Sequence, residues 1–487
     1  MKKTVLLYIL ILFVLLSGRK SNSVERQLKD FAAFSETILQ KEGRLDLHVS
    51  TDTLTYYFQK LKNELDEELS LIDQFKLYSS TLAKIQCGHT QIYPNKEVLR
   101  EWLGERNSLP LDYFLHGKKL IVNKIETSDY KSIYEGKDIN ERTKRITSGS
   151  EILLIDGYSV PEMMTKIGQY ISSDEDQIDF KYYQASHIFE FYRNLALPFK
   201  SDSVLVNYVT DGDTNEVYFQ TGAAPVNTMN LRIMEHVKRY NGNEAEIGKF
   251  KIIKNKYGYF RFKSFRSGYG LNYNEFIRAS FKKLNDRKIK YLVIDLRGNT
   301  GGVMQYEIMK YFVGSNVEIG KYVVEKPKSI HDSKFIRKFR SDYRKHKRLS
   351  IKQNHLIRNG KFNQGIVYTD SIENKHIFKG EIVVITDEGT FSSASIFASN
   401  LKTLANAKIV GSSAGGSFYS GNAGTLEIKL PHTGFTFSVN PNSFYTQLKP
   451  TNDPFEIKIP DLIVATPYLP EHKLDAFFFK EAVSVFE

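Results

Sequence analysis

The sequence predicts an α/β core with a mixed βαβ sheet in its C-terminal half, preceded by a β-rich module and a helical N-terminal unit. Three observations carry this. From Phe250 onward, apolar β-type runs (Tyr259–Phe262, Tyr291–Leu296, Ile382–Ile385, Ala407–Val410) alternate with helix-patterned segments (Tyr273–Asp286, Met304–Val313, Ser392–Leu404), which is the rhythm of parallel crossovers. Two of those strands run straight into polar turns, one rich in glycine. Glu25–Leu103 is different: it is rich in Leu, Lys, Glu and Asp, with Leu54, Tyr57, Leu61 and Leu65 at helical intervals.

At 487 residues, 41% hydrophobic and 25% charged, the chain has an ordinary globular composition and enough length for two or three domains. Residues 1–22 read as a signal peptide. Lys2 and Lys3 precede a 12-residue apolar run, Val5–Leu16, which is short for a bilayer span, and small Ser17 and Gly18 follow. Arg19 stands where a lipid-anchored protein would carry cysteine. The expectation is export to the periplasm or envelope of a bacterium, with a retained N-terminal anchor as the alternative. The single cysteine, Cys87, allows no internal disulfide and no cysteine-rich zinc site.

Residues 23–110 form the expected helical unit, which closes in Lys84–Tyr93 (KIQCGHTQIY), where Gly88 breaks the helix and Gln91–Tyr93 reads as a strand. Residues 111–225 read as the β-rich module. Ile152–Ile155 is a buried-strand pattern, Asp156–Gly157 a tight turn, and a helix begins near Val160 with Pro161 in its first turn. Val204–Tyr208 and Val217–Gln220 read as further strands. Residues 226–487 hold the α/β core, and Thr425–Val439 returns to strand alternation.

Two turns of this core carry the chemistry. Tyr291–Gly302 reads YLVIDLRGNTGG, a buried strand entering a glycine turn. Asp387–Thr390 opens the helical segment that begins at Ser392. A serine at a helix start just after a strand presents its hydroxyl beside unpaired backbone N–H groups. With Asp295, Leu296, Arg297, Asn299, Gly301 and Gly302 in the order DLRxNxGG, and Thr390-Phe391-Ser392 some 90 residues later, the chain resembles the C-terminal processing (tail-specific) serine peptidases. The resemblance runs loosely from Tyr259 to Pro467, with a fainter match through Cys87–Thr90 and Gly149–Val160. It implies a ClpP/crotonase-like core and a PDZ-like module at 111–225, where Gly149–Val160 is similar to the family's GDEIxxINGxxV.

The resemblance makes Ser392 the nucleophile, with Ser393 and Ser395 as rivals. The plainer reading is that these serines cap the helix. One branch of the family carries a lysine about 25 residues further on. That place is Ser417 here, within GSSAGGS, and the nearest lysines are Lys408 and Lys429. The chain therefore resembles the tricorn-type Ser-His branch more closely, which implies His89 of Gly88-His89-Thr90 as the base, ahead of His432 and His376. Histidine titrates near neutrality and can take and return a proton. A third group should orient the imidazole; Asp453 and Glu456, ahead of Pro460-Asp461, are candidates with poor spacing. The oxyanion hole is expected from Gly301, Gly302 and the N–H of Ser393, without a choice between the glycines. The plainer reading is that the glycines only turn the chain. Asp295 and Arg297 read as structural.

The expected function is an exported serine endopeptidase that binds unstructured or C-terminal peptide segments by strand addition and cleaves them through an acyl-enzyme. The alternative is an inactive peptide- or apolar-ligand-binding protein on the same scaffold. Neither a phosphate loop nor metal-ligand spacing is present, so no cofactor is expected. Net charge is +12, and Lys334–Lys352 holds nine Lys/Arg against Asp342 alone. Residues 334–352 could meet a membrane surface or an acidic partner, though a solvated helical insertion is the plainer reading. No nucleic-acid recognition motif is present.

Overall fold

The computed structural model describes residues 23–43, 45, 49–95, 97–99, 108–109, 111–125, 146–221, 248–266, 273–302, 305–324, 364–369, 375–448, 458–469 and 471–486. The expected signal peptide (1–22), the basic segment (334–352) and the candidates Asp453 and Glu456 lie outside them.

The central sheet has six strands in the order Leu462–Ile463, Lys408–Gly411, Glu381–Thr386, Tyr291–Asp295, Tyr257–Phe262 and Gly248–Ile253. All pairs are parallel except the terminal hairpin Gly248–Ile253/Tyr257–Phe262. Strand alternation explains how both faces are covered. Leu292, Ile294, Ile382, Val384 and Ile409 point into a core built with helices Tyr273–Asp286, Gln305–Val313 and Ser393–Ala405. Val293, Val383, Ile385 and Val410 point the other way, onto Phe478 and Ala482 of helix Glu471–Ser484. A parallel sheet covered on both sides needs near-continuous apolar strands, and YLVID and EIVVIT supply them.

The N-terminal unit comprises helix 23–41 followed by Thr51–Glu64 and Leu71–Ala83. Ser50 and Ser70 cap the latter two, each accepting the N–H of the residue three further on at 3.1 Å. This unit does not stand alone. Phe34, Phe58, Phe75 and Tyr78 pack with Phe435, Phe437 and Val439 of the C-terminal region. Ile92–Tyr93 then joins a three-stranded antiparallel sheet beside Thr436–Val439, which also pairs with Leu426–Lys429. A separate four-stranded antiparallel sheet runs Gln364–Tyr368, Glu318–Val324, Asn442–Tyr445, Ser420–Ala423.

The β-rich module is an antiparallel sheet ordered Leu111–His116, Lys119–Ile125, Glu151–Ile155, Ser203–Thr210, Asp213–Gln220. Helix Val160–Ile167 packs into its core through Val160, Met163, Met164 and Ile167. A capping box between Ser159 and Glu162 starts that helix, with Pro161 in its first turn. Two helices that the sequence reading did not anticipate follow, Ile178–His187 and Phe189–Ala196. Their sequences, IDFKYYQASH and FEFYRNLA, are rich in aromatic residues of modest helix propensity. Tertiary burial of Phe180, Phe189 and Phe191 holds them.

Candidate active site

Strands Tyr291–Asp295 and Glu381–Thr386 are parallel neighbours with Asp295 opposite Ile385, so their following turns emerge side by side at the same sheet edge. Ligand sites of open α/β sheets form at such carboxyl ends. Here the two turns are tied together. The Gly298 N–H donates to Asp387 Oδ1 at 2.8 Å, the Phe391 N–H to the Asn299 carbonyl at 3.0 Å, and Thr390 Oγ1 to the Leu296 carbonyl at 3.0 Å.

Ser392 sits at the mouth of helix Ser393–Ala405 with φ 57° and ψ −126°, and its side chain makes no capping bond. That backbone region is one non-glycine residues avoid. A sharp strand-to-helix turn of this kind lifts a serine hydroxyl out of the chain. The capping reading therefore does not describe Ser392. Its Oγ instead pairs with His89 Nε2 at 2.9 Å, across 303 residues of sequence. The rivals are placed elsewhere: Ser395 Oγ donates to the Thr390 carbonyl at 2.8 Å, and Ser393 Oγ is buried without a partner among the described residues.

The sharing of a sheet between the N-terminal unit and the C-terminal region is what brings His89 there. Ser438 Oγ donates to the His89 carbonyl at 2.7 Å and accepts the Gln91 N–H at 3.0 Å. Asn440 Nδ2 donates to Thr90 Oγ1 at 3.1 Å. The His89 ring lies on Phe391 (centroids 4.7 Å), which stacks on Phe180 at 4.5 Å and 19°. Gly88 is required there, since a Cβ would come 2.7 Å from the Phe391 ring. Burial lowers the His89 pKa below the ordinary 6.5, opposed by the nearby charge of Asp174. The imidazole is thus neutral at neutral pH, the form a general base requires.

Asp174 is a site residue that sequence reasoning missed. Its Oδ1 accepts the Gly88 N–H at 2.8 Å and its Oδ2 the Ser417 N–H at 3.3 Å. Cys87, His89 and Asp174 bring three ligand-type atoms within 4.8 Å of one another. Burial pushes the Cys87 thiol well above its usual range, and Asn422 Nδ2 donates to it. With His89 Nε2 already engaged by Ser392, the cluster suits proton transfer better than metal ligation.

Hydrogen bonding separates the candidate oxyanion donors. The Gly301 N–H donates to Asn299 Oδ1 at 2.9 Å, while Asn299 Nδ2 donates to the Phe262 carbonyl at 3.1 Å. That leaves the N–H groups of Gly302 and Ser393 for a developing oxyanion. Gly301 serves by closeness instead: a Cβ there would lie 2.9 Å from both Ser392 Cβ and the Ser393 nitrogen. The Gly415-Gly416 turn straps the other side, where a Cβ on Gly416 would meet the Ser392 nitrogen at 2.8 Å. Among the described residues no lysine enters here; Lys408 and Lys429 are exposed.

The remaining candidates are structural or distant. The His432 N–H donates to Asp30 Oδ1 in the N-terminal unit, and His376 lies in the turn at 375–376. Arg297 forks onto Asp295 and reaches Asp475 at 2.8 Å, with Phe478 beneath its guanidinium at 4.2 Å. Burial works against ionisation of Asp295, yet Arg261 and Arg297 hold its pKa below the usual value.

Residues 256–446 match the family model described as Peptidase family S41. No curated protein matches the chain. Among solved structures, mature CPAF complexed with lactacystin is similar at 13% identity, with 95% of this chain and 98% of that chain covered and a TM-score of 0.59. A CPAF mutant gives 13%, 95%, 96% and 0.59, and mature CPAF alone 13%, 91%, 93% and 0.54. At such identity the likeness is one of fold.

Proposed function

We propose that the chain, whose residues 256–446 match Peptidase family S41, is an exported serine endopeptidase that cleaves unstructured or C-terminal segments through an acyl-enzyme, with Ser392 as nucleophile and His89 as base. The observation that carries this is the 2.9 Å contact between His89 Nε2 and a strained Ser392. Neutral His89 takes the Ser392 proton as Oγ attacks the scissile carbonyl carbon. A C–O bond forms, and the carbonyl electron pair moves to oxygen, which faces the N–H groups of Ser393 and Gly302. As the intermediate collapses the C–N bond breaks, and His89 Nε2–H passes its proton to the leaving amine. Water then repeats the sequence and frees the acid. The β-rich module supports a PDZ-like role, presenting the substrate as an added strand so that main-chain recognition precedes side-chain choice.

The test is hydrolysis of an unstructured polypeptide against its folded counterpart, with pre-steady-state release of the new amine. An initial burst is expected on the unstructured chain and none with Ser392→Ala. Binding of such chains without any cleavage by folded wild type would favour the ligand-binding alternative.

A further inference from the structure

Nε2 of His89 can accept the serine proton only if the neutral ring carries its own proton on Nδ1. In this structure Nδ1 is shielded from solvent and has no hydrogen-bond partner among the described residues. A buried N–H without an acceptor is costly, and its cost rises when the ring becomes an imidazolium during attack. The charged group acting on His89 is Asp174, with a carboxylate oxygen within 4.8 Å of a ring nitrogen. Among the described residues the other ionisable groups nearby do not compete. The Cys87 thiol is held protonated by burial, Glu42 reaches Cys87 rather than the ring, and Phe391, Phe180 and Ser392 carry no charge.

We propose that Asp174 is the positioning residue of the base, its buried charge stabilising the imidazolium that forms on His89 when Ser392 attacks. The inference rests on the serine peptidase reading above. Asp174 is buried, with 8% of its surface exposed. Its two oxygens are fixed by the backbone N–H groups of Gly88 and Ser417, one on the histidine turn and one on the turn that straps the nucleophile. No cation neutralises it in these contacts, so its field stays directed at the ring. Its own segment is costly: Glu175 and Asp176, the next two residues, both hold φ near 56°. Glu175 is anchored by a buried pair with Lys458 and by its N–H to the Gln86 carbonyl at 3.4 Å. Strain of this kind persists only where the surroundings impose it.

The experiment is the pH profile of kcat/KM on an unstructured fluorogenic peptide for wild type, Asp174→Asn, Asp174→Glu and His89→Ala/Asp174→Asn. Asp174→Asn should lower kcat/KM by about 10²–10⁴-fold and move the acid limb to lower pH, because the charge that favours the imidazolium is gone. Asp174→Glu should bring the limb back toward wild type. In the double variant the second change should add nothing to His89→Ala. A residue that only ties two loops together would lower the rate without moving the limb; an unmoved limb, or additive losses, overturns the proposal. Should Asp174→Asn not fold, Asp174→Ser measured in the same way decides: its acid limb should also move to lower pH, and an unmoved limb contradicts. If a fluorophosphonate modifies wild-type Ser392 while Asp174→Asn keeps the wild-type limb, this inference fails alone. If it leaves folded wild type unmodified, the peptidase reading fails and takes this one with it.

Discussion

Ser392 pairs a reactive position with a backbone conformation that opposes folding. A non-glycine residue in that region costs about 1–3 kcal/mol, partly offset in a glycine variant by the freer unfolded chain. Ser392→Gly should therefore stabilise the protein by about 1 kcal/mol, read as a higher urea midpoint at unchanged slope, while abolishing turnover. Equal or lower stability would mean that the turn is not strained. At His89 the lowered pKa fixes the pH response. Activity requires the neutral ring and is lost as pH falls through its folded value, so the acid limb of kcat/KM should lie below 6.5. His89→Ala should cost about 10⁴–10⁶-fold in kcat with the fold intact by circular dichroism.

At the scale of elements, the turns are what the sequence displays. DLRGNTGG and Thr390-Phe391-Ser392 carry their chemistry locally, as glycines where the chain must fold tightly and a serine at a helix mouth, so these two turns and the histidine turn, which the fold brings together, are legible as candidates. Two things were not. The choice between Gly301 and Gly302 depends on where the Asn299 side chain points, which no spacing reveals. Asp174 lies in Ser-Ser-Asp-Glu-Asp, which reads as a solvated acidic turn; it matters only because folding sets it against Gly88 and Ser417, 86 and 243 positions away. Phe180 was hidden the same way, in a helix held by packing rather than by propensity. A further buried group, Glu42 at the end of the first helix, packs against the histidine turn. Glu42 accepts the Asn440 N–H at 2.9 Å, and burial pushes its carboxyl from 4.5 up to about 7. The folded state thus binds more protons than the unfolded state across that window, and stability should fall as pH rises through it, by about 3 kcal/mol, then level off. Glu42→Gln should flatten this slope in denaturation midpoints measured from pH 5 to 8. A wild-type slope retained in that variant would assign it to another group.

For the whole molecule, the site exists because three distant parts of the chain close on one sheet edge. The N-terminal unit lends His89 through a shared sheet, the helical segment inside the β-rich module lends Asp174 and Phe180, and the core lends Ser392 with its glycine amides. The Glu175–Lys458 pair joins the second part to the third, with side-chain exposures of 6% and 2%. Removing one partner of a buried pair strands the other charge, so Lys458→Met should cost about 3–5 kcal/mol, and Glu175→Gln in the same protein should recover much of it. A single-variant loss under 1 kcal/mol would mean that the pair does not tie the parts together. The broad architecture could be read from strand and helix periodicity, whereas this convergence could not, since it depends on contacts across the full length of the chain. The most direct measurement is fluorophosphonate modification followed by intact mass and peptide mapping. One adduct is expected, on Ser392, absent in Ser392→Ala and formed far more slowly in His89→Ala. A folded wild-type protein that takes no adduct, or takes it on another serine, would contradict the peptidase reading.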